Sequence, residues 1–168
     1  MKKILLSLFL FSCMPLGAAR TFAQSADSLR VVVDSLSLRV AKLEHDLTLL
    51  KVNTDITTLD AAINRLSIEF RGIGTDLQII TIANKIGTLS KSNKKDTIAI
   101  LKESYRVNKE SAELVKKELD SLQELINSNE NSFSNSENVH IYCGVIRVLG
   151  SYNTLEKQLQ LIAKVLEE

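Results

Sequence analysis

The sequence has no tryptophan, one proline, two cysteines and six glycines. Pro15 and Cys13 both lie in the first 23 residues, so the rest of the chain has no proline and one cysteine, Cys143. A single cysteine excludes the even-numbered disulfide framework on which small exported domains often depend. The scarcity of helix breakers, together with apolar residues that recur with a period near 3.5, predicts an all-α fold.

The first 23 residues have the pattern of a secretory signal peptide. Two lysines precede an apolar run over residues 4–11, and small residues precede the expected cleavage site after Ala23, with cleavage after Ala19 as the alternative. The apolar run is far shorter than the ~20 residues that a membrane-spanning helix requires. A second interpretation takes Leu10-Phe11-Ser12-Cys13 as a lipoprotein box and predicts a lipid anchor on Cys13.

The leader ends in "FAQ" before a Ser/Asp start, which is similar to exported proteins of Gram-negative bacteria. We therefore expect the protein in the periplasm or cell envelope, or secreted. Removing residues 1–23 removes Lys2, Lys3 and Arg20 and no acidic residue, which leaves 18 basic against 20 acidic residues and a net charge of −2. A nucleic-acid partner is not expected, because it would require a basic surplus on one face.

Residues 24–168 are predicted to form one antiparallel bundle of four helices, at about 27–70, 75–90, 96–127 and 136–167. The glycines of "RGIG", Arg71–Gly74, predict the end of the first helix. Asp96 is predicted to cap the third helix, and Ser134 with Glu137 forms a capping box that opens the last. The apolar register changes at Val52–Asp55, where a continuous helix is favoured over a break because no glycine or proline forces an end.

Apolar spacing also predicts which side chains form the core. The expected stripes are Leu49, Val52, Ile56, Leu59, Ile63, Leu66 and Phe70; Ile79, Ile82, Ile86 and Leu89; Ile98, Leu101, Tyr105, Asn108, Ala112, Val115, Leu119, Leu122 and Ile126; and Val145, Leu149, Tyr152, Leu159, Ala163 and Leu166. Asn108 is either a buried amide that fixes helix register or a solvated position. Gly144 and Gly150 are expected to allow close helix packing.

A heptad seam precedes that core, and its members are the candidate interaction residues: Leu29, Val33, Leu36, Val40, Leu43, Leu47 and Leu50. Val33, Val40 and Leu47 fall at a positions and leucine fills the d positions; valine at a with leucine at d favours parallel two-stranded coiled coils. In a parallel dimer Arg39 would face Glu44 of the partner, and Asp46 would face Lys51. The simpler interpretation, which the sequence favours over the dimer, is that the stripe packs on the third helix of its own chain.

His140 and Cys143 are one helical turn apart and could share a face. Zinc requires about four ligands, or three and a water molecule, whereas this spacing supplies two. Because Cys143 lies in the apolar stretch "IYCGVI", we expect it to be a buried packing residue that reacts slowly with thiol reagents. We predict no metal site, no cofactor and no catalytic residue.

The leading functional hypothesis is an exported structural or protein-interaction protein that acts through its helix faces, by self-association or by binding another envelope protein. The alternative is a membrane-acting protein, toxin-like or peripheral, that uses the apolar segment 72–89, although a buried short helix is the simpler interpretation of that segment. A third hypothesis is a periplasmic binder with a small-molecule pocket between helices.

Overall fold

The structure, a computed structural model, describes residues 16–167 and the burial of side chains in residues 27–167. The described chain consists of helices and short connections, which confirms the predicted all-α class. Its elements are α1 at Leu16–Ile86, α2 at Lys91–Asn129, a short 3-10 helix at Glu130–Ser132, and α3 at Asn135–Glu167. The chain divides into two compact units, residues 1–47 and 48–168, and α1 contributes to both.

The predicted leader peptide lies largely outside the described residues. Residues 1–15, which include Cys13 and the apolar run, are not described. Residues 16–23 form the first turns of α1. Export, cleavage after Ala23 and a lipid anchor at Cys13 therefore stay predictions.

The predicted end of the first helix at Arg71–Gly74 is wrong, and so is the count of four helices, because α1 continues to Ile86. Neither Gly72 nor Gly74 has a positive φ. A glycine inside a helix costs about 1 kcal/mol, but Ile73 and Leu77 are both buried and continue the core stripe through this segment. Burial of large side chains on both sides of the glycines outweighs their poor helix propensity.

α1 ends instead at Ile86, and the residue after it, Gly87, has a φ of +76°. Its amide donates to the carbonyl of Asn84 at 3.3 Å, and the amide of Thr88 donates to the carbonyl of Ala83 at 3.1 Å. These two bonds form a Schellman motif, whose left-handed position favours glycine. A glycine therefore does end the first helix, but it is Gly87 and not a glycine of Arg71–Gly74.

α2 begins at Lys91, five residues before the predicted start, and the predicted cap at Asp96 is wrong. Ser90 caps the helix: its side-chain oxygen accepts a hydrogen bond from the amide of Asn93 at 3.2 Å. Serine in an extended conformation before the first turn is a favoured N-cap. The polar composition of residues 90–96 suggested a loop, yet most of that stretch is the exposed first turns of a helix.

The connection between α2 and α3, at residues 130–134, is shorter than the interval predicted between the helices at 96–127 and 136–167. Buried Phe133 lies within it, and α3 opens at the predicted capping box. The amide of Ser134 donates to Glu137 Oε2 at 2.7 Å, and the amide of Glu137 donates to Ser134 Oγ at 3.4 Å. This reciprocal pair confirms the sequence signature and fixes where the chain reverses.

The second unit has a single hydrophobic core to which all three helices contribute. Its fully buried side chains are Val52, Ile63, Leu66, Phe70, Ile141, Val148 and Leu155. Arg147 and Asp60 lie 3.6 Å apart on α3 and α1, and the hydroxyl of Tyr105 on α2 donates to the carbonyl of Leu159 on α3. The hydroxyl of Tyr142, near the start of α3, donates to Glu130, which directly follows α2.

The predicted stripe of residues 52–70 is buried, and of the stripe of Ile79, Ile82, Ile86 and Leu89 only Leu89 packs against the core. The prediction for Ile79, Ile82 and Ile86 is wrong. Those three side chains are exposed, and the buried residues of this segment are Ile73, Leu77 and Ile80. The error follows from the predicted break. In a separate helix any side could face the core, whereas in a continuous helix the side that faces the core is fixed by residues 52–70.

Gly144 and Gly150 differ in what surrounds them. A Cβ atom at Gly144 would lie 3.1 Å from two carbon atoms of Ile56, so this glycine does allow α1 and α3 to approach closely. A Cβ atom at Gly150 would meet nothing within 4 Å. The prediction of close helix packing is therefore confirmed at Gly144 and wrong at Gly150.

Candidate interaction surface

The seven residues of the predicted seam, Leu29, Val33, Leu36, Val40, Leu43, Leu47 and Leu50, are all exposed. Their exposed fractions range from 52% at Leu36 and Val40 to 67% at Leu43 and Leu47. None belongs to the buried core cluster. The simpler interpretation, in which this stripe is buried within its own chain, does not agree with these exposures. The seven seam residues of α1 are each more than half exposed.

Charged side chains border the seam. Arg39 precedes the a position of Val40, and Glu44 follows the d position of Leu43, so these residues occupy the flanking g and e positions. Both are exposed. Leu38 lies on the side of the helix away from the seam and is also exposed, at 73%. The heptad spacing, rather than exposure alone, therefore distinguishes the seam within this segment.

His140 and Cys143 are both exposed on α3. The prediction that Cys143 is buried is wrong, because the core stripe of α3 passes through Ile141, Val145 and Val148. Cys143 lies between core positions in an apolar stretch, so local composition suggested burial that the helix phase does not provide. No group of three metal-ligating side chains occurs in the part of the chain that the structure describes.

Asn108, for which the sequence allows two interpretations, is half-buried.

Tyr105 packs edge-to-face on Phe70, with ring centroids 6.0 Å apart. Burial raises the pKa of Tyr105 and of Tyr152 above the ordinary value. Both phenols therefore keep their protons at neutral pH and act as packing groups with a polar tip.

The outer face of α2 carries a charge cluster. Arg106 donates to Glu103 and to Glu110, each at 2.6 Å. The hydrogen bond from Arg106 lowers the pKa of Glu103. All three side chains are exposed, so the cluster resembles the i,i+3 and i,i+4 pairs of a solvated helix surface.

An apolar groove lies between the second half of α1 and the end of α3. Leu77 and Ile162 are its buried residues, and Ile82, Leu161 and Val165 are exposed beside it. The groove has a volume of about 470 Å³. The sequence pattern does not predict this groove, because the glycines at 72 and 74 indicate a helix end before Leu77 and Ile82. Continuing the phase of residues 52–70 through the glycines would have placed Ile82 outside the core.

None of the helices in the described chain has a stretch apolar and long enough to cross a membrane. The candidate site that combines regular spacing, exposure and ordered flanking charge is the seam on α1. No protein-family model matches the chain, and neither a curated protein sequence nor a solved structure matches it.

Proposed function

We propose that this chain is an exported envelope protein without catalytic activity, which acts as a structural or protein-interaction module. Its interaction surface is the seam of residues 29–50, which pairs with a helical partner as a coiled coil. The observation that carries the proposal is the exposure of every seam residue although the stripe keeps heptad spacing over three heptads. Soluble proteins rarely leave a continuous apolar surface of this kind uncovered unless something binds it.

The physical drive for pairing is burial of the exposed apolar area. Burying a valine or leucine side chain completely stabilises by about 1.5–3 kcal/mol. Seam residues are already partly covered by their own helix, so each gains a fraction of that amount. Association costs rotational and translational freedom on the order of 4–15 kcal/mol. Several seam residues must therefore be buried together, which a partner helix along the whole seam accomplishes.

The proposal is tested by site-specific photo-crosslinking in cells that produce the full chain. A photoreactive residue replaces Leu36, which lies on the seam, or Leu38, which is equally apolar and lies away from it. We expect a discrete protein adduct from position 36 and little from position 38. Equal adducts at both positions, or none at position 36, would contradict a face-specific interaction.

A second candidate function, membrane contact by segment 72–89, is favoured by one observation: Ile79, Ile82 and Ile86 are exposed at 57%, 56% and 69%. Such a surface could insert at the boundary of a bilayer without spanning it. Flotation of the full chain with liposomes at low and high salt tests this function. Binding that survives high salt and is lost in Ile82→Asp supports it, whereas absence of co-flotation contradicts it.

A further inference from the structure

We propose that the partner of the seam is a second copy of this chain, and that the two helices lie parallel and in register. This inference rests on the proposed function, because it identifies the partner of the same surface. Three observations support it: the residues at the a and d positions, the exposure of the whole seam, and the pattern of charge at the flanking positions.

The a and d residues favour two parallel strands. Val33, Val40 and Leu47 occupy a positions, and the d positions hold only leucine. β-branched residues at a with leucine at d favour parallel dimers over higher oligomers. A parallel pairing in register also places each seam residue beside its own copy, so two identical chains are complementary without any further match.

The flanking charges agree with this arrangement. In a parallel coiled coil in register, each g residue faces the e residue five positions later on the partner. Arg39 then faces Glu44 of the other copy, and Asp46 faces Lys51. Both contacts join opposite charges, and the two-fold symmetry of a dimer repeats each of them. The remaining g position is Val32, which faces uncharged Ser37.

An antiparallel pairing of the same helices brings like charges together. In antiparallel coiled coils g residues face g residues and e residues face e residues. If Val33 of one copy lies level with Leu43 of the other, the Arg39 side chains of the two copies face each other. If Val33 lies level with Leu50, Arg30 faces Lys51. Either alignment forms a favourable pair elsewhere, but neither removes its like-charge contact, which is unfavourable.

A parallel pairing shifted by one heptad is also disfavoured. The shift carries Arg39 to Lys51 of the partner and Asp46 to Glu44, so both contacts change from opposite to like charge. Among the alignments that pair the apolar residues over at least two heptads, the parallel arrangement in register is the one that has only favourable charged contacts. The flanking charges therefore select both the direction and the register.

The test uses single cysteines in the full chain with Cys13→Ser and Cys143→Ser. Val33→Cys forms a disulfide with its own copy only in the parallel arrangement in register, because a disulfide requires Cα atoms within about 7 Å. The two antiparallel alignments separate these residues by about 15 and 25 Å along the axis, and the shifted parallel one by about 10 Å. Leu38→Cys, on the opposite side of the helix, is the matched control.

We expect most of Val33→Cys and little of Leu38→Cys to become a disulfide-linked dimer under mild oxidation, and light scattering of the reduced chain to give twice the mass of one chain. Cross-linking of Val33→Cys to Leu43→Cys or Leu50→Cys in mixtures would overturn the parallel arrangement and leave the proposed function intact. A monomer at every concentration would overturn the second copy as partner. If position 36 then cross-linked to a different protein, the proposed interaction function would still be supported. If position 36 gave no adduct, both the proposed function and the proposed partner would be contradicted.

Discussion

The two units of this chain use the same apolar spacing with opposite results. In the second unit, the stripe of α1 from Val52 to Phe70 is almost completely buried, with Ile63 and Phe70 at 0% exposure. In the first unit, the stripe from Leu29 to Leu47 repeats in the same steps of three and four, and each residue is more than half exposed. The two stripes belong to one helix and differ in what covers them.

The comparison shows that heptad spacing determines which side of a helix is apolar and not where its partner comes from. α2 and α3 supply the partners of residues 52–70, as the contacts of Ile56 with Gly144 and of Phe70 with Tyr105 illustrate. For the seam, the proposed partner is a second copy of the chain. Substitutions at matched covered and open positions can test this difference.

The largest effect is expected when a covered residue of the second stripe is truncated. Phe70→Ala removes a ring that is fully buried and packed on Tyr105, so it should lower the free energy of unfolding by about 3–5 kcal/mol. Ile68→Ala, two residues away and 68% exposed, should change it by less than about 0.5 kcal/mol. Urea unfolding followed by circular dichroism measures both. If both substitutions lowered the free energy of unfolding by similar amounts, the side of α1 that carries Ile68 would also have to be buried.

The next largest effect is expected from alanine substitutions at two glycines of α3, of which Gly144 faces Ile56 and Gly150 has no neighbour within 4 Å of a Cβ atom. Gly150→Ala should raise the free energy of unfolding by roughly 0.5–1 kcal/mol, because alanine favours the helix and nothing lies within 4 Å of the new Cβ atom. Gly144→Ala gains the same propensity but pushes against Ile56 at 3.1 Å, and overpacking typically costs about 1–3 kcal/mol. Thermal melts should therefore rank Gly144→Ala below Gly150→Ala.

A charge change should weaken association of the seam without affecting the second unit. Arg39→Glu would place two glutamates opposite each other in both symmetric contacts, which should weaken the dimer about tenfold, or about 1.4 kcal/mol. Arg39→Glu combined with Glu44→Arg restores opposite charges and should restore the affinity. Sedimentation equilibrium measures the dissociation constants, and failure of the double variant to recover would argue against this contact.

The hydrogen bond between α2 and α3 should contribute less. Tyr105→Phe removes the bond from the phenol to the carbonyl of Leu159, at 3.3 Å, and should lower the free energy of unfolding by about 0.5–1.5 kcal/mol.

The same variant should also change the dependence of stability on pH. Because burial raises the pKa of Tyr105 in the folded state above its ordinary value of 10.0, its contribution is complete below about pH 10 and is lost as pH rises through the folded pKa. Stability of the unsubstituted chain should therefore fall more steeply at alkaline pH than that of Tyr105→Phe. Parallel curves would contradict this assignment, and Tyr152 should account for part of the remaining slope.

The smallest difference is expected at Cys143. Since this thiol is exposed, labelling by a thiol reagent in the native chain should proceed at a rate comparable to that in urea. Protection in the native state would indicate that a partner or a different helix phase covers this face of α3.

Several features of the fold could be predicted from residues alone because their causes are local. The stripe from Val52 to Phe70 and the capping box of Ser134 and Glu137 both depend on spacing within a few turns. The end of α1, the phase of Ile79 and Ile82, and the exposure of Cys143 could not be predicted in this way. The first two depend on whether α1 continues through Gly72 and Gly74, and the third depends on which side of α3 faces the core.

The sequence by itself therefore determined the all-α class, the apolar side of each long stripe and the charges beside the seam, because helical periodicity and side-chain chemistry are properties of the chain. Only the tertiary structure decided which of those apolar sides are covered. Burial of Ile73 and Leu77 outweighs the low helix propensity of two glycines, and this packing keeps α1 continuous to Ile86. The second unit covers the stripe of residues 52–70 with its own helices, whereas the seam is left exposed.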